Sequence, residues 1–107
     1  MAKYLIKASY SPEGFKGVMA SGGTARQDVI SKMVADLGGS LDAMYFAFGD
    51  TDVFLIVDAP NPETMIAVGG TVVAAGALSK YETVQLIEPS TVDDAVNISV
   101  DYTPPGG

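Results

Sequence analysis

The chain opens on a run of β-branched, aromatic and aliphatic residues, Lys3 to Tyr10, that stops at Ser11-Pro12, and this predicts a strand. Gly14, Gly17 and then Ser21-Gly22-Gly23 punctuate the next stretch, so residues 11–23 read as a loop holding a fragment of helix through Met19. Val29, Ile30, Met33, Val34 and Leu37 then fall on one side of a 3.6-residue period. Residues 24–37 therefore read as a helix, opened by the capping-box spacing of Thr24 and Gln27 and closed by Gly38. Residues 40–48 and 52–58 are strand-type runs on either side of Gly49-Asp50-Thr51, which predicts a hairpin. Pro60-Asn61-Pro62-Glu63 opens a second helix carried to Ala75, with Gly76 as its stop. Residues 80–87 read as a fourth strand, ended by Glu88-Pro89-Ser90. Beyond Thr91 the pattern suggests a helical turn and a short strand over residues 98–102 before Pro104-Pro105-Gly106-Gly107.

The order β-α-β-β-α-β predicts an α+β domain of the ferredoxin-like kind, an antiparallel sheet with the first and third strands central and two helices on one face. Residues 1–90 form that domain and residues 91–107 a partly ordered C-terminal extension. If the hairpin turns at Asp50-Thr51, Phe48 pairs with Val53, Phe46 with Leu55 and Met44 with Val57 on one face, while Ala47 meets Phe54 and Tyr45 meets Ile56 on the other. Both faces are apolar. A sheet with one wet face alternates apolar with polar, so the second face is expected to pack on a second copy, making the chain at least a homodimer.

Composition narrows the chemistry. With 107 residues, 48% of them hydrophobic, the chain suits one packed domain. Its longest apolar stretch, residues 65–78, is shorter than the roughly 20 residues a membrane span needs. The N-terminal apolar run is too short for an export signal, so a cytoplasmic protein is expected. There is no cysteine and no histidine, which removes disulfides, thiolate nucleophiles, zinc sites of nitrogen and sulfur ligands, and Ser-His-Asp or Cys-His catalysis. No metal and no cofactor are expected. Thirteen acidic against six basic side chains give a net charge of −7, which disfavours nucleic acid and anionic membranes as partners.

Several of these segments resemble one known family. Lys3-Tyr4-Leu5-Ile6, the Tyr10-Ser11-Pro12-Glu13-Gly14 turn, Leu37-Gly38-Gly39, Gly49-Asp50-Thr51-Asp52-Val53 and Asp58-Ala59-Pro60 together look like the GYD-domain family, over about residues 3–88. Gly49 and Asp52 stand where the family's Gly-x-Tyr-Asp element has its glycine and aspartate, and Thr51 replaces the tyrosine. The resemblance implies kinship with dimeric α/β-barrel proteins, in which two ferredoxin-like sheets pack face to face. It implies no particular activity, and no role that needs a phenol at the turn.

Three constellations can carry chemistry. Gly49, Asp50 and Asp52 place carboxylates at a hairpin; the plainer reading is turn structure, glycine for an unusual φ and aspartate capping its own backbone. Ser21-Gly22-Gly23-Thr24 with Arg26 resembles an anion cradle at a helix start, against a loop with an ordinary cap. Tyr45, with Asp58 on the same predicted face and small Ala43 and Ala47 beside it, suggests a ligand pocket between sheet and helices that Arg26 overhangs; the plainer reading is a core tyrosine. The expected function is an oligomeric module that binds or senses a small organic molecule. A cofactor-independent oxygenase or isomerase, with Tyr, Asp and Lys carrying the proton transfers, and a structural oligomerisation unit stand as alternatives.

Overall fold

In the computed structural model, which describes residues 2–107, four strands and four helices are found among the described residues. They run β1 (Ala2–Tyr10), α1 (Pro12–Ser21), α2 (Gly23–Asp36), β2 (Ser40–Phe46), β3 (Val53–Ala59), α3 (Pro62–Ala74), β4 (Leu78–Leu86) and α4 (Pro89–Ala95). The strands make one mixed α+β domain's sheet in the order β2-β3-β1-β4, antiparallel at every neighbouring pair, with β1 and β3 central as their uniformly apolar inner positions require.

One face of the sheet holds the core. Tyr4, Ile6 and Ala8 of β1 and Val53, Leu55, Val57 and Ala59 of β3 are buried there against Val34 of α2 and Met65 of α3. Each fully buried aliphatic side chain contributes about 1.5–3 kcal/mol, so this cluster holds the helices on the sheet. Between β2 and β3 the chain comes close to itself: a Cβ on Gly39 would collide with the Asp58 carbonyl, which fits glycine to the entry of β2.

The hairpin differs from its expected form. Phe46 pairs with Val53 and Met44 with Leu55, a shift of two residues, and the register breaks between Leu41 and Ala43. That bulge lets Leu41 and Met44, three apart, both pack on the core, whereas Ala43 and Tyr45 point to the opposite face. The connection is longer than a tight turn, because Asp52 is drawn to β1: its N–H donates to the Ala8 carbonyl and its carboxylate accepts the Tyr10 N–H. Phe48 is left in this connection, fully exposed at 106%.

Helix placement also differs. Residues 12–21 form a full helix, α1, because the Ser11 hydroxyl accepts the Gly14 N–H and Pro12 occupies the first turn. Gly22, at φ 88°, separates it from α2, which starts at Gly23 with no side-chain cap, so Thr24 does not close a capping box. Asn61 caps α3 by accepting the Thr64 N–H. After β4 the tail forms α4, and residues 98–102 make no strand. The molecule measures 58 × 34 × 24 Å with a radius of gyration of 17.4 Å, against about 13 Å for a compact chain of this length. No helix of the described residues is long and apolar enough to cross a membrane.

Candidate functional site

Between the core face and helices α2 and α3 lies a cavity of about 60 Å³, several times the roughly 10–15 Å³ that one water occupies on this measure. Its walls are almost wholly apolar, with Ile6, Met44, Leu55, Met65 and Val68 among them, and Arg26 is its one charged lining residue. The first turn of α2 carries Arg26, and the end of β1 carries Tyr10, which also lines the cavity. Arg26 is half-buried and forms no ion pair among the described residues, although acidic side chains outnumber basic ones by thirteen to six.

Tyr10 is half-buried beneath this guanidinium and stacks at a tilt on Phe15 of α1, ring centroids 6.3 Å apart. Burial pushes its phenol above the usual tyrosine value; the nearby Arg26 charge and hydrogen bond pull it partly back, and the Asp52 charge adds to the rise. The hydroxyl is therefore protonated at neutral pH, a donor rather than a base.

A second, more open groove of about 300 Å³ runs between α3 and strands β1 and β4, bounded by Tyr4, Met65, Ile66, Gly69, Tyr81 and Thr83. Gly69 lies against the Tyr81 ring, 3.0 Å from where a Cβ would stand, so this glycine in the middle of α3 serves the approach of helix to sheet. The hydroxyls of Tyr4 and Tyr81 are buried without a hydrogen-bond partner.

The residues expected to form one pocket are divided by the sheet. Arg26 lines the helix-side cavity. Tyr45 is 72% exposed on the opposite, helix-free face, and Asp58 shares that face through its pairing with Lys3 and Ser40. The expected pocket of Tyr45 and Asp58 under the helices is corrected: α2 and α3 cover the face of Val53, Leu55 and Val57, with Met44 beside them, and leave the face of Tyr45, Phe54 and Asp58 free of helices. Asp58 Oδ2 lies 3.5 Å from Lys3 Nζ, and its Oδ1 is buried with no partner. Lys3 donates to Asp42 at 2.6 Å; that hydrogen bond raises the lysine pKa and, with a second from Ser40, lowers that of Asp42.

Gly49 stands at φ 101°, in the left-handed region. Asp52 caps the β1 backbone rather than its own turn. Among the described residues no three acidic side chains gather as a metal site would require. Tyr10 and Tyr81 escaped the sequence reading; their signal was position, Tyr10 closing β1 beside the helix start and Tyr81 standing on the inward period of β4.

The GYD domain family model matches residues 4–96, reaching past β4 through α4. No curated protein and no solved structure matches the chain significantly.

Proposed function

This chain belongs to the GYD-domain family, and from that premise we propose that it is an oligomeric binding module for a short-chain organic acid, held with its apolar part in the helix-side cavity and its carboxylate on Arg26. The observation that carries this is a half-buried guanidinium with no acidic partner, alone among apolar walls in a chain of net charge −7. Beyond the Tyr10 hydroxyl such a group has no partner for its charge, and an anionic ligand supplies one through paired N–H donors. Tyr10, kept protonated, adds a neutral donor beside the charge. The volume selects a ligand of few carbons.

The strand order and the packing of α2 and α3 on one face support a ferredoxin-like reading of the fold. The other face, with Leu5, Phe54, Ile56 and Val84 only partly covered, supports association with a second copy. Two such faces meeting would give the dimeric barrel.

Titration by NMR with butyrate and, separately, butyramide tests the ligand class. Butyrate is expected to shift resonances of Arg26, Tyr10 and Met44, butyramide to bind at least tenfold more weakly, and Arg26→Gln to remove the difference. Equal binding of acid and amide, or butyrate shifts unchanged in Arg26→Gln, overturns the reading.

A further inference from the structure

The last nineteen residues, 89–107, carry a surface that their own domain does not use. Val92, Val96, Ile98, Val100 and Tyr102 are all exposed and none joins the core cluster. Val92 and Val96 share a face at i, i+4, and Ile98, Val100 and Tyr102 alternate with Ser99, Asp101 and Thr103 as in a strand with one apolar side. A strand needs an edge or a sheet to lie on, and residues 98–102 lie on neither here.

The sheet has the converse deficiency. Its helix-free face leaves Leu5, Phe54, Ile56 and Val84 incompletely covered and Asp58 Oδ1 buried without a donor. On that face Lys3 is paired with Asp42 and Asp58 and Lys7 with Glu82, while Lys80 has no ion pair among the described residues. Residues 89–107 contain Asp93, Asp94 and Asp101 and no basic residue. One chain thus carries an incompletely covered apolar face with one unpaired lysine, Lys80, and an apolar arm whose charges are all acidic.

We propose that residues 89–107 are an exchange arm, laid across the helix-free sheet face of a second copy while that copy's arm covers the first. The exchange is isologous, so two copies satisfy both surfaces. Valine and isoleucine of the arm cover Phe54, Ile56 and Val84, its aspartates meet Lys80, and an arm donor such as Asn97 or Ser99 reaches Asp58 Oδ1. This rests on the oligomeric reading above and puts the partner's arm, in place of its sheet, against the face.

The absence of cysteine allows a direct test in the full chain. Val84→Cys, on the sheet face, is made in a size-tagged chain and Val100→Cys in an untagged one; the two are mixed and oxidised. A mixed disulfide dimer in high yield is expected, together with a native mass of twice 11.1 kDa for the unaltered chain and a shift to 11.1 kDa for Val96→Asp/Val100→Asp. Both substituted side chains are exposed in the single chain, so the double variant's circular dichroism stays unchanged. A monomeric unaltered chain overturns the oligomeric reading and the arm together. A dimer that persists in Val96→Asp/Val100→Asp, without the mixed disulfide, overturns the arm alone and leaves sheet-to-sheet packing. A disulfide formed only within a chain carrying both cysteines overturns exchange in favour of an arm folded back on its own sheet.

Discussion

The Asp52 carboxylate accepts the backbone N–H of Tyr10 at 2.9 Å, joining the end of the β2–β3 connection to the end of β1 across 42 positions of sequence. Together with the Ser9 hydroxyl donating to the Asp50 carbonyl at 2.6 Å, it anchors the connection beside the cavity's Tyr10. Asp52→Ala leaves the Tyr10 N–H without its acceptor and is expected to cost about 1–3 kcal/mol. Asp52→Asn keeps an acceptor oxygen and is expected to cost less than half as much. Urea unfolding of the two variants, compared at constant m-value, checks the ordering.

Gly49 holds φ 101° in open space, so a side chain there is opposed by backbone conformation alone and not by a neighbour. Gly49→Val is expected to lower stability by about 1 kcal/mol or more, and Gly49→Asn by less, because asparagine tolerates the left-handed region. Butyrate affinity is expected to be unchanged in both. A variant that kept its melting temperature and lost the ligand would show that Gly49 is a binding residue.

Alkaline stability reports on Tyr10. Its phenol titrates above the ordinary 10.0, chiefly through burial, so the folded state retains a proton that the unfolded state releases. Fewer protons on the unfolded chain mean that stability falls as pH rises. The contribution is fully present below about pH 10 and is lost as pH climbs through the folded value. Tyr10→Phe is expected to flatten the decline between pH 9 and 11 relative to the unaltered chain, measured as urea midpoints at each pH. Parallel declines in the two proteins would place the effect elsewhere.

Much of the fold was legible in the chain, and the losses have identifiable causes. Strand and helix periods placed β1, α2, β3, α3 and β4 within a few residues, since their inner positions are apolar at a clear spacing. Glycines hid α1, because Gly14 and Gly17 lower helix propensity while the Ser11 cap and Pro12, which outweigh them, act at a single end. The other loss was which face the helices cover. The spacing of Leu41 and Met44 breaks strict alternation, and only a bulge at Asp42 lets both point inward. The two-residue shift of the hairpin leaves Met44 beside the Val53, Leu55 and Val57 set and Tyr45 beside Phe54 and Ile56, as expected, and it is the bulkier of these two faces, not the one with small Ala43, that α2 and α3 cover. Arg26 was found from the glycine-flanked helix start, independent of strand register, and it alone of the expected trio lines the cavity.

The choice of covered face makes the last prediction. Met44 and Leu55 pair across β2 and β3 and point into the core, Tyr45 and Phe54 pair next to them and point away, and Phe48 stands in the connection. Leu55→Asp or Met44→Asp buries an unpaired carboxylate among apolar walls, at a cost of several kcal/mol, about the whole stability of a small domain. Both are expected to be unfolded or insoluble. Phe48→Asp removes an exposed ring and is expected to shift the melting temperature by no more than about 2 °C, a ΔΔG within the ±0.5 kcal/mol usual for surface sites. Tyr45→Asp is expected to leave the circular dichroism spectrum of the fold intact while shifting mass toward the monomer, since it adds a charge to the face on which association with a second copy is proposed. Light scattering and thermal melts on the four variants separate the faces. A folded Leu55→Asp with an unfolded Tyr45→Asp would reverse the assignment of inside and outside.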